Sequence, residues 1–480
     1  MGGSMIRRRL ALFAVLAISA RAFAQADRGG RLGNLDFPTS TKSAEAQEAF
    51  VRGVLLLHSF EYADAAAEFR RAEALDRGFA MAYWGEAMTE NHPVWNQRDA
   101  KAAREALAKL DKTPAEREAR ASTEREKAYL RAVDVLFADG EKKERDAAYA
   151  EEMRKLHEAF PKDDEATLFY ALALLGSCEG ERDVPVYEKA GALASDVFAR
   201  RPDHPGAAHY VIHSYDDPAH AERALPAARA YAKIAPAATH ALHMPSHIFL
   251  ALGMWDDVIA SNEASWKASK GTSYHALYWL EYAYLQEGRR TDAARCLAEM
   301  ERAAAREDSQ HAWAHLAWMR AAALVDDPRD AAAASIRIPS GKLFPEAGGD
   351  DAFATGFAAL GRGDTAAADE ALAALTKIAE GSGEGKPVPS ILRDELHGTI
   401  LARDGKTDDA VRLLGDAAER EEKMPYGFGP PDPVKPAREL LGEVLLAAGR
   451  KSDAAEAFRA ELVREPKRRL SLAGLASASN

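Results

Sequence analysis

Two pairs of histidines recur at a fixed distance along the chain. His209 and His213 are four residues apart, and His243 and His247 repeat that spacing 34 residues later. Residues four apart are neighbours on one face of an α-helix, and a period of 20–50 residues is typical of arrays of stacked helical or β units. The sequence therefore predicts successive helix–turn–helix units that carry the two histidine pairs at equivalent positions.

Small and aromatic residues recur at matching positions in several of these units. They are Gly53, Tyr62, Ala65, Phe69 and Ala72 near the start, and Gly442, Gly449, Ala454, Phe458 and Pro466 near the end. Similar turns occur at Gly253 with Val258, Gly288 with Ala293, Gly363 with Ala368, and Gly405 with Ala410. The chain resembles tetratricopeptide-repeat proteins. This resemblance implies an all-α fold, a superhelical solenoid of antiparallel helix pairs with a capping helix at the end.

Four longer stretches carry a narrower resemblance. They are AMAYWGEAMTENHPVW, PGAAHYVIHSYDDP, HALHMPSHIFLALGMW and GPPDPVKPARELLGE. In this combination the chain is similar to a group of uncharacterised bacterial exported tetratricopeptide-repeat proteins. The resemblance implies a fold and an exported location, but no reaction.

The N-terminus has the pattern of a secretory signal peptide. Three arginines at residues 7–9 precede an apolar run at residues 10–20, and Ala22 and Ala24 form a small-x-small cleavage site before Gln25. The run is too short to cross a bilayer as a helix. The sequence predicts a cleaved signal peptide at residues 1–24 and a periplasmic or secreted protein, with an uncleaved anchor as the alternative.

Changes in composition predict how the rest of the chain is divided. A polar, Gly-rich leader spans residues 25–43, and an N-terminal repeat array with a His-rich concave face spans residues 44–335. Residues 336–351 contain two prolines and three glycines, which predicts a linker without helix. C-terminal repeats and the capping helix follow at residues 352–480. Within the first array, residues 91–118 are predicted to be an insertion with its own helix.

The overall charge and hydropathy exclude two kinds of partner. The formal net charge is −12, whereas nucleic-acid binding requires a clustered basic surface. After the signal peptide, no apolar run approaches 18 residues, so no membrane span is predicted.

The family resemblance implies a position in the repeat for each histidine, and with it the surface of the solenoid that the histidine faces. Positions 2, 5, 9 and 12 of the first helix in each unit line the concave groove in that family. Five histidines take such positions: His209, His213, His240, His243 and His247. In the next unit, His275 and Tyr278 do so.

Paired imidazoles on successive helices can hold a metal ion. Neutral imidazole is the commonest metal ligand in proteins, and helices packed about 8–10 Å apart bring facing side chains toward one centre. The pattern predicts a transition-metal site at His209, His213, His243 and His247. An all-histidine set suits copper, zinc or iron, and the order of affinities favours copper.

Several other residues are candidate additional ligands in the groove: His240, His275, Asp216, Tyr278, Glu281, His92 and His58. For the four histidines in this set, hydrogen bonding within the solenoid or lining of the groove is the favoured interpretation. A solvated turn is favoured for Asp216, although it could also act as a second-shell partner or a general base.

Pro245 decides whether the second pair shares a helix. Proline is tolerated in the first turn of a helix or at a kink. If a helix begins at Pro245, His240 and His243 are expected on the preceding loop. An earlier start with Thr239 as the N-cap would keep the pair together.

Two functions compete on these observations. The first is a metal-binding protein, either one that handles the metal or a metal-dependent enzyme. The alternative is a protein–protein interaction scaffold that holds a peptide or an envelope protein in its concave groove without metal. No G-x-S-x-G, Walker or G-x-G-x-x-G motif occurs, so no catalytic residue is predicted.

Overall fold

The computed structural model describes residues 30–178, 182–339, 341–382 and 387–479. The predicted signal peptide at residues 1–24 and residues 25–29 of the predicted leader lie outside this part of the chain. The chain divides into two compact units. Among the described residues, the first unit comprises residues 30–178, 192–210 and 230–242, and the second unit comprises residues 182–191, 211–229 and those from 243 onward.

Helices dominate the part of the chain up to residue 178. In order, the elements are α1 (Ala44–His58), α2 (Tyr62–Leu75), α3 (Ala80–Met88), β1 (Asn91–His92), β2 (Gln97–Arg98), α4 (Ala100–Leu110), α5 (Pro114–Arg120), α6 (Glu124–Leu136), α7 (Lys142–Ala159) and α8 (Asp164–Gly176). The two short strands pair antiparallel around a 3-10 turn at Pro93–Trp95. The Ser43 side chain caps α1 by accepting from the backbone N–H of Ala46, which satisfies one of the four free amides at a helix start.

Five helices follow between residues 184 and 251, and they carry most of the predicted site residues. They are α9 (Val184–Arg200), α10 (Pro205–Ser214), α11 (Leu225–Ile234), α12 (Thr239–His243) and α13 (Pro245–Ala251), with a 3-10 turn at Ala221–Ala224 before α11.

Regular helix pairs form the rest of the second unit. The helices are α14 (Trp255–Ala268), α15 (Tyr274–Gln286), α16 (Arg290–Glu307), α17 (Gln310–Asp326), α18 (Ala331–Ser335), α19 (Pro345–Arg362), α20 (Thr365–Ser382), α21 (Val388–Arg403), α22 (Thr407–Glu422), α23 (Ala437–Ala447), α24 (Lys451–Arg464) and α25 (Arg469–Ser479). Successive helices pack against each other, except that α19 packs on α17 past the short α18, and α19, α21 and α23 also pack on one another in succession. This is the packing of helix–turn–helix repeats, and it confirms the predicted all-α, tetratricopeptide-repeat-like architecture.

The 16-residue spacing of glycine and phenylalanine, which recurs within the chain, has the same structural meaning in both units. In the first unit, a Cβ added to Gly53 would lie 2.7 Å from Phe69 Cε1. In the second unit, a Cβ added to Gly442 would lie 2.8 Å from the same atom of Phe458. Both phenylalanines are fully buried. Glycine therefore allows the paired helices to cross closely around an aromatic ring, as the repeat pattern predicted.

The described part of the predicted leader packs into the first unit. Residues 30–43 are not helical, and Leu32, Leu35 and Phe37 in this segment are buried. The Phe37 ring lies 5.1 Å from that of Phe50 and 5.2 Å from that of Tyr129, measured between centroids. The segment thus contributes to the core, because its three apolar side chains fill space between helices.

The interruptions in the repeat differ in how well the sequence predicted them. Residues 91–118 contain the predicted helix, α4, and most of a second one, α5. At residues 336–351 the prediction that no helix persists is wrong for the second half, because α19 begins at Pro345. Proline is well suited to the first helical position, and Gly349 inside this helix faces Leu392 of α21. The predicted linker lies within the second unit.

The described helices include none that is both long enough and apolar enough to cross a bilayer.

Candidate metal centre

Pro245 begins a new helix, yet the second histidine pair stays in helical register. His243 is the last residue of α12, and Pro245 is the first of α13. Met244 between them has helical dihedral angles, φ −52° and ψ −34°, so the chain follows a nearly continuous helical path. The expectation that His240 and His243 would lie on a loop if a helix began at Pro245 is therefore wrong. The Nε2 atoms of His243 and His247 are 3.2 Å apart.

An aspartate fixes the ring of His247. Asp216 and His247 are both buried, and His247 Nδ1 lies 2.6 Å from Asp216 Oδ2. A carboxylate accepts hydrogen bonds, so this partner places the imidazole proton on Nδ1 and leaves a lone pair on Nε2. The solvated turn favoured for Asp216 is thus not observed. Its contact is the one expected of a carboxylate that orients a metal-binding histidine by accepting the proton of its other ring nitrogen.

An asparagine orients the ring of His243, as Asp216 orients that of His247. His243 Nδ1 lies 2.7 Å from Asn262 Oδ1, while Asn262 Nδ2 donates to the backbone oxygen of Val258 at 2.9 Å. The second bond assigns the amide orientation, because a flipped amide would place two oxygens together. His243 therefore also carries its proton on Nδ1, and its Nε2 presents a lone pair to the Nε2 of His247.

A third histidine joins this pair from the next repeat. His275 near the start of α15 is exposed, and its ring centroid lies 4.6 Å from that of His243. One ring nitrogen from each of His243, His247 and His275 falls within 4.8 Å of the others. Trp279 covers the group, with its ring 4.4 Å from His247 and 4.9 Å from His243. The three imidazoles thus converge beneath an indole, with one of them open to solvent.

The protein environment keeps His243 neutral. Burial lowers the pKa of His243 to about 3, with a further contribution from the neighbouring His247. Only the neutral imidazole has the lone pair that binds a metal, so His243 is in the ligand form at physiological pH.

His209 and His213 do not lie together with His243 and His247 in one unit, as the predicted four-histidine site requires. His209 belongs to the first unit, where its Nδ1 lies 2.6 Å from the backbone oxygen of His58 and its ring lies 5.0 Å from that of His240. His213 belongs to the second unit, with its ring centroid 6.1 Å from that of His247. The predicted set of four is therefore divided between the two units, and the ligand grouped with His243 and His247 is His275.

Three of the other candidate ligands, His240, His92 and Tyr278, contact aromatic residues, a backbone oxygen or a cavity. The His240 ring stacks on Phe60 at 5.5 Å. His92 stacks on Tyr62 at 3.8 Å and donates to the backbone oxygen of Thr89, as expected for a hydrogen-bonded histidine. Tyr278 lines a cavity beside His275.

His58 belongs to a group of three that the sequence did not reveal. Its Nε2 lies 2.6 Å from Glu165, and its Nδ1 lies 2.8 Å from the hydroxyl of Tyr210. His204 Nε2 approaches the other carboxylate oxygen of Glu165 at 2.8 Å, and its Nδ1 accepts from the backbone N–H of Ala207. The ring nitrogens of both histidines are engaged by these bonds, so this buried group is best explained as a structural network. No repeat spacing connects His58 with Glu165 and His204, so sequence patterns do not predict this group.

Glu281 is a buried carboxyl group rather than a ligand. Neither of its carboxyl oxygens has a hydrogen-bond partner among the described residues, and the side chain is fully buried. Burial, followed by the charge of Asp326, raises the pKa of Glu281 well above its ordinary value. Folding therefore favours the protonated, neutral form of Glu281.

Replacing Glu281 with methionine is expected to stabilise the protein increasingly as the pH rises. The unfolded chain releases the proton near pH 4.5, while the folded chain retains it, so the wild type loses stability above that pH by up to about 1.4 kcal/mol per pH unit. Urea unfolding of both proteins at pH 5 and pH 7 measures this difference. Glu287→Met, at the exposed position that directly follows the same helix, is the control. An equal gap at both pH values would contradict the prediction.

Comparisons with known proteins give only remote similarity. No family model matches the chain, and no curated protein matches it. Among solved structures, the P58(IPK) TPR domain is 14% identical with a TM-score of 0.25, covering 91% of this chain and 98% of that one. The human IFIT1 dimer with m7Gppp-AAAA is 14% identical with a TM-score of 0.38, covering 92% of each chain. The Cut9–Hcn1 complex is 11% identical with a TM-score of 0.34, covering 92% of this chain and 79% of that one. Nothing about function follows from similarity this low.

Proposed function

We propose that this protein binds a transition-metal ion through His243, His247 and His275. The observation that carries the proposal is the approach of His243 Nε2 to within 3.2 Å of His247 Nε2. Asp216 and Asn262 hold the protons on the opposite nitrogens. Two lone pairs at this distance repel each other unless a cation lies between them.

The distance itself suits a shared metal ion. Two nitrogens bound at about 2.0–2.1 Å to one tetrahedral ion lie about 3.3 Å apart. A proton bridges only two nitrogens, whereas three imidazoles converge here. The hydrogen bond from His247 to Asp216 adds the carboxylate–histidine arrangement that orients metal ligands and increases their basicity. These features favour a metal over a shared proton.

The ligand set narrows the choice of metal and of role. Three imidazoles suit zinc, copper or iron, and affinity alone favours copper. Three protein ligands with an exposed edge at His275 would leave a coordination position for water or substrate, as in catalytic sites. Such an ion could serve as a Lewis acid or redox centre, or be held for transfer. An exported location remains a prediction from residues 1–24.

Metal analysis of the untagged protein tests the proposal. The protein is stripped with a chelator, reloaded separately with Zn²⁺, Cu²⁺ and Fe²⁺, desalted and measured by elemental analysis. At least one metal is expected at one ion per chain, and the His243→Ala/His247→Ala variant is expected to lose it. His397→Ala removes an exposed imidazole from the same unit and is expected to retain the ion.

Two results would overturn the proposal. Substoichiometric binding of all three metals by the wild type would favour the competing prediction of a metal-free interaction scaffold. Full metal content in the double variant would place the ion elsewhere.

A further inference from the structure

A cavity of about 250 Å³ in the second unit lies next to the candidate metal centre and shares His275 and Trp279 with it. Its walls come from α15, α17 and α19 and from the segment that precedes α23. The lining side chains most relevant to binding are Tyr278, Trp279, Trp318, Phe428, Glu346, Asp350 and Asp432.

Aromatic rings form much of the wall. Tyr278 and Trp318 face each other across successive repeats, with centroids 6.1 Å apart and planes inclined by 24°. Trp279 and Phe428 add two further rings. The backbone of Gly429 lies against Trp279, where an added Cβ would be 3.0 Å from the indole. Aromatic faces carry a negative quadrupole that attracts cations.

The polar part of the wall is acidic. Glu346, Asp350 and Asp432 line the cavity, and no lysine or arginine does. Asp350 is 2% exposed, and its Oδ1 has no hydrogen-bond partner in the part of the chain that the structure describes. A buried acceptor without a partner costs free energy that a bound donor would recover.

Basic residues next to this wall in sequence are already paired with other carboxylates. Lys435 contacts Glu439 at 2.9 Å and Glu443 at 2.6 Å. Arg320 contacts Asp351 at 2.5 Å. The charge of the cavity wall is therefore not balanced by these neighbours.

The pKa values of two of these acidic groups are raised. Burial, and then the charge of Asp432, raises the pKa of Asp350 well above its ordinary value. Burial, and then Glu346, raises the pKa of Asp432 to about 6. A bound cation would replace the proton that these carboxyl groups otherwise retain.

We infer that this cavity binds an organic cation, with an ammonium or guanidinium group held between the aromatic rings and the carboxylates of Asp350 and Asp432. The inference goes beyond metal binding and does not require it. Its ligand class follows from three observations: the aromatic faces, the buried Asp350 carboxyl group whose Oδ1 has no hydrogen-bond partner among the described residues, and the acidic wall.

Two cationic probes and one neutral isostere test this assignment. Binding of choline, agmatine and 3,3-dimethylbutan-1-ol to the full chain is measured by calorimetry, first in chelator and then after metal loading. At least one cation is expected to bind at least about tenfold more tightly than the neutral alcohol, which has nearly the shape of choline but lacks its charge. Binding in chelator separates this inference from the proposed metal site.

Variants locate the binding. Asp350→Asn and Trp318→Leu are each expected to weaken binding of the cation about tenfold. Asp408→Asn removes a fully exposed carboxylate of the same unit and is expected to leave affinity unchanged. Thermal unfolding confirms that each variant is folded, and Asp432→Asn replaces any variant that is not. Equal binding of the alcohol, no binding of either cation, or unchanged affinity in the folded wall variants would overturn the inference.

Discussion

Replacing His247 with alanine is expected to lower the affinity of the protein for its preferred metal ion by more than about 100-fold. Loss of the hydrogen-bond partner of a metal ligand lowers metal affinity about 10–100-fold, and loss of the ligand itself should have a larger effect. The substitution removes one of two Nε2 atoms that lie 3.2 Å apart. It also leaves the buried Asp216 without its imidazole partner. Competition titration with a chromophoric chelator, using the metal retained at one ion per chain, measures the change.

A second variant, which keeps the His247 ligand but weakens its hydrogen bond, separates the loss of a metal ligand from a general loss of structure. Asp216→Asn keeps the imidazole of His247 but weakens the bond that holds its proton on Nδ1, and is expected to reduce affinity about 10–100-fold. His397→Ala is the unchanged reference. If Asp216→Asn and His247→Ala both bind the metal as the wild type does, neither the ligand nor its orienting carboxylate contributes to a metal site.

Replacing Arg468 with methionine is expected to lower the free energy of unfolding by about 3 kcal/mol, within the range for breaking a buried ion pair. The Arg468 guanidinium contacts both carboxylate oxygens of Glu439, at 2.8 and 3.0 Å, and donates to the hydroxyl of Tyr282 at 2.9 Å. Arg468 and Glu439 are almost completely buried. The loss is at the low end of the range because Lys435 still contacts Glu439. Urea unfolding followed by circular dichroism measures it.

An exposed ion pair provides the comparison. Arg450 contacts Asp453 at 2.7 Å, but both side chains are more than two-fifths exposed. Such pairs contribute about 0–1 kcal/mol, so Arg450→Met is expected to unfold nearly as the wild type does. The variant that combines Arg468→Met with Glu439→Gln is expected to recover part of the lost stability, because no uncompensated charge remains buried. Similar losses in Arg450→Met and Arg468→Met would show that burial of the pair does not determine its contribution.

The repeat architecture could be predicted because it depends on local spacing. Gly53 with Phe69, and Gly442 with Phe458, lie 16 residues apart in both units, and each pair fixes one helix crossing. The helix that begins at Pro345 contradicts the predicted linker, because prolines and glycines in a segment do not by themselves exclude a helix. Proline at the first position of a helix loses no hydrogen bond, because the backbone N–H at that position has no partner within the helix. Packing between helices outweighs the low helix propensity of glycine.

The candidate metal centre could be predicted only in part. The sequence identified His243 and His247 as a pair and placed His275 on the same face, but it favoured His209 and His213 as the other ligands. It treated Asp216 chiefly as a solvated residue, although the side chain is buried against His247. It gave no indication of Asn262, which lies 19 residues from His243 and orients its ring.

The sequence by itself determined the helix pairs and the four-residue spacing that makes His243 and His247 neighbours, because both follow from periodicity within about 34 residues. The tertiary structure decided which nitrogen of each imidazole points toward the centre, through side chains on other helices. It also decided the chemistry of the adjoining cavity, where Phe428 and Asp432 approach the repeat that contains His275. Contacts between residues this far apart depend on how the helices pack, and no spacing along the chain encodes them.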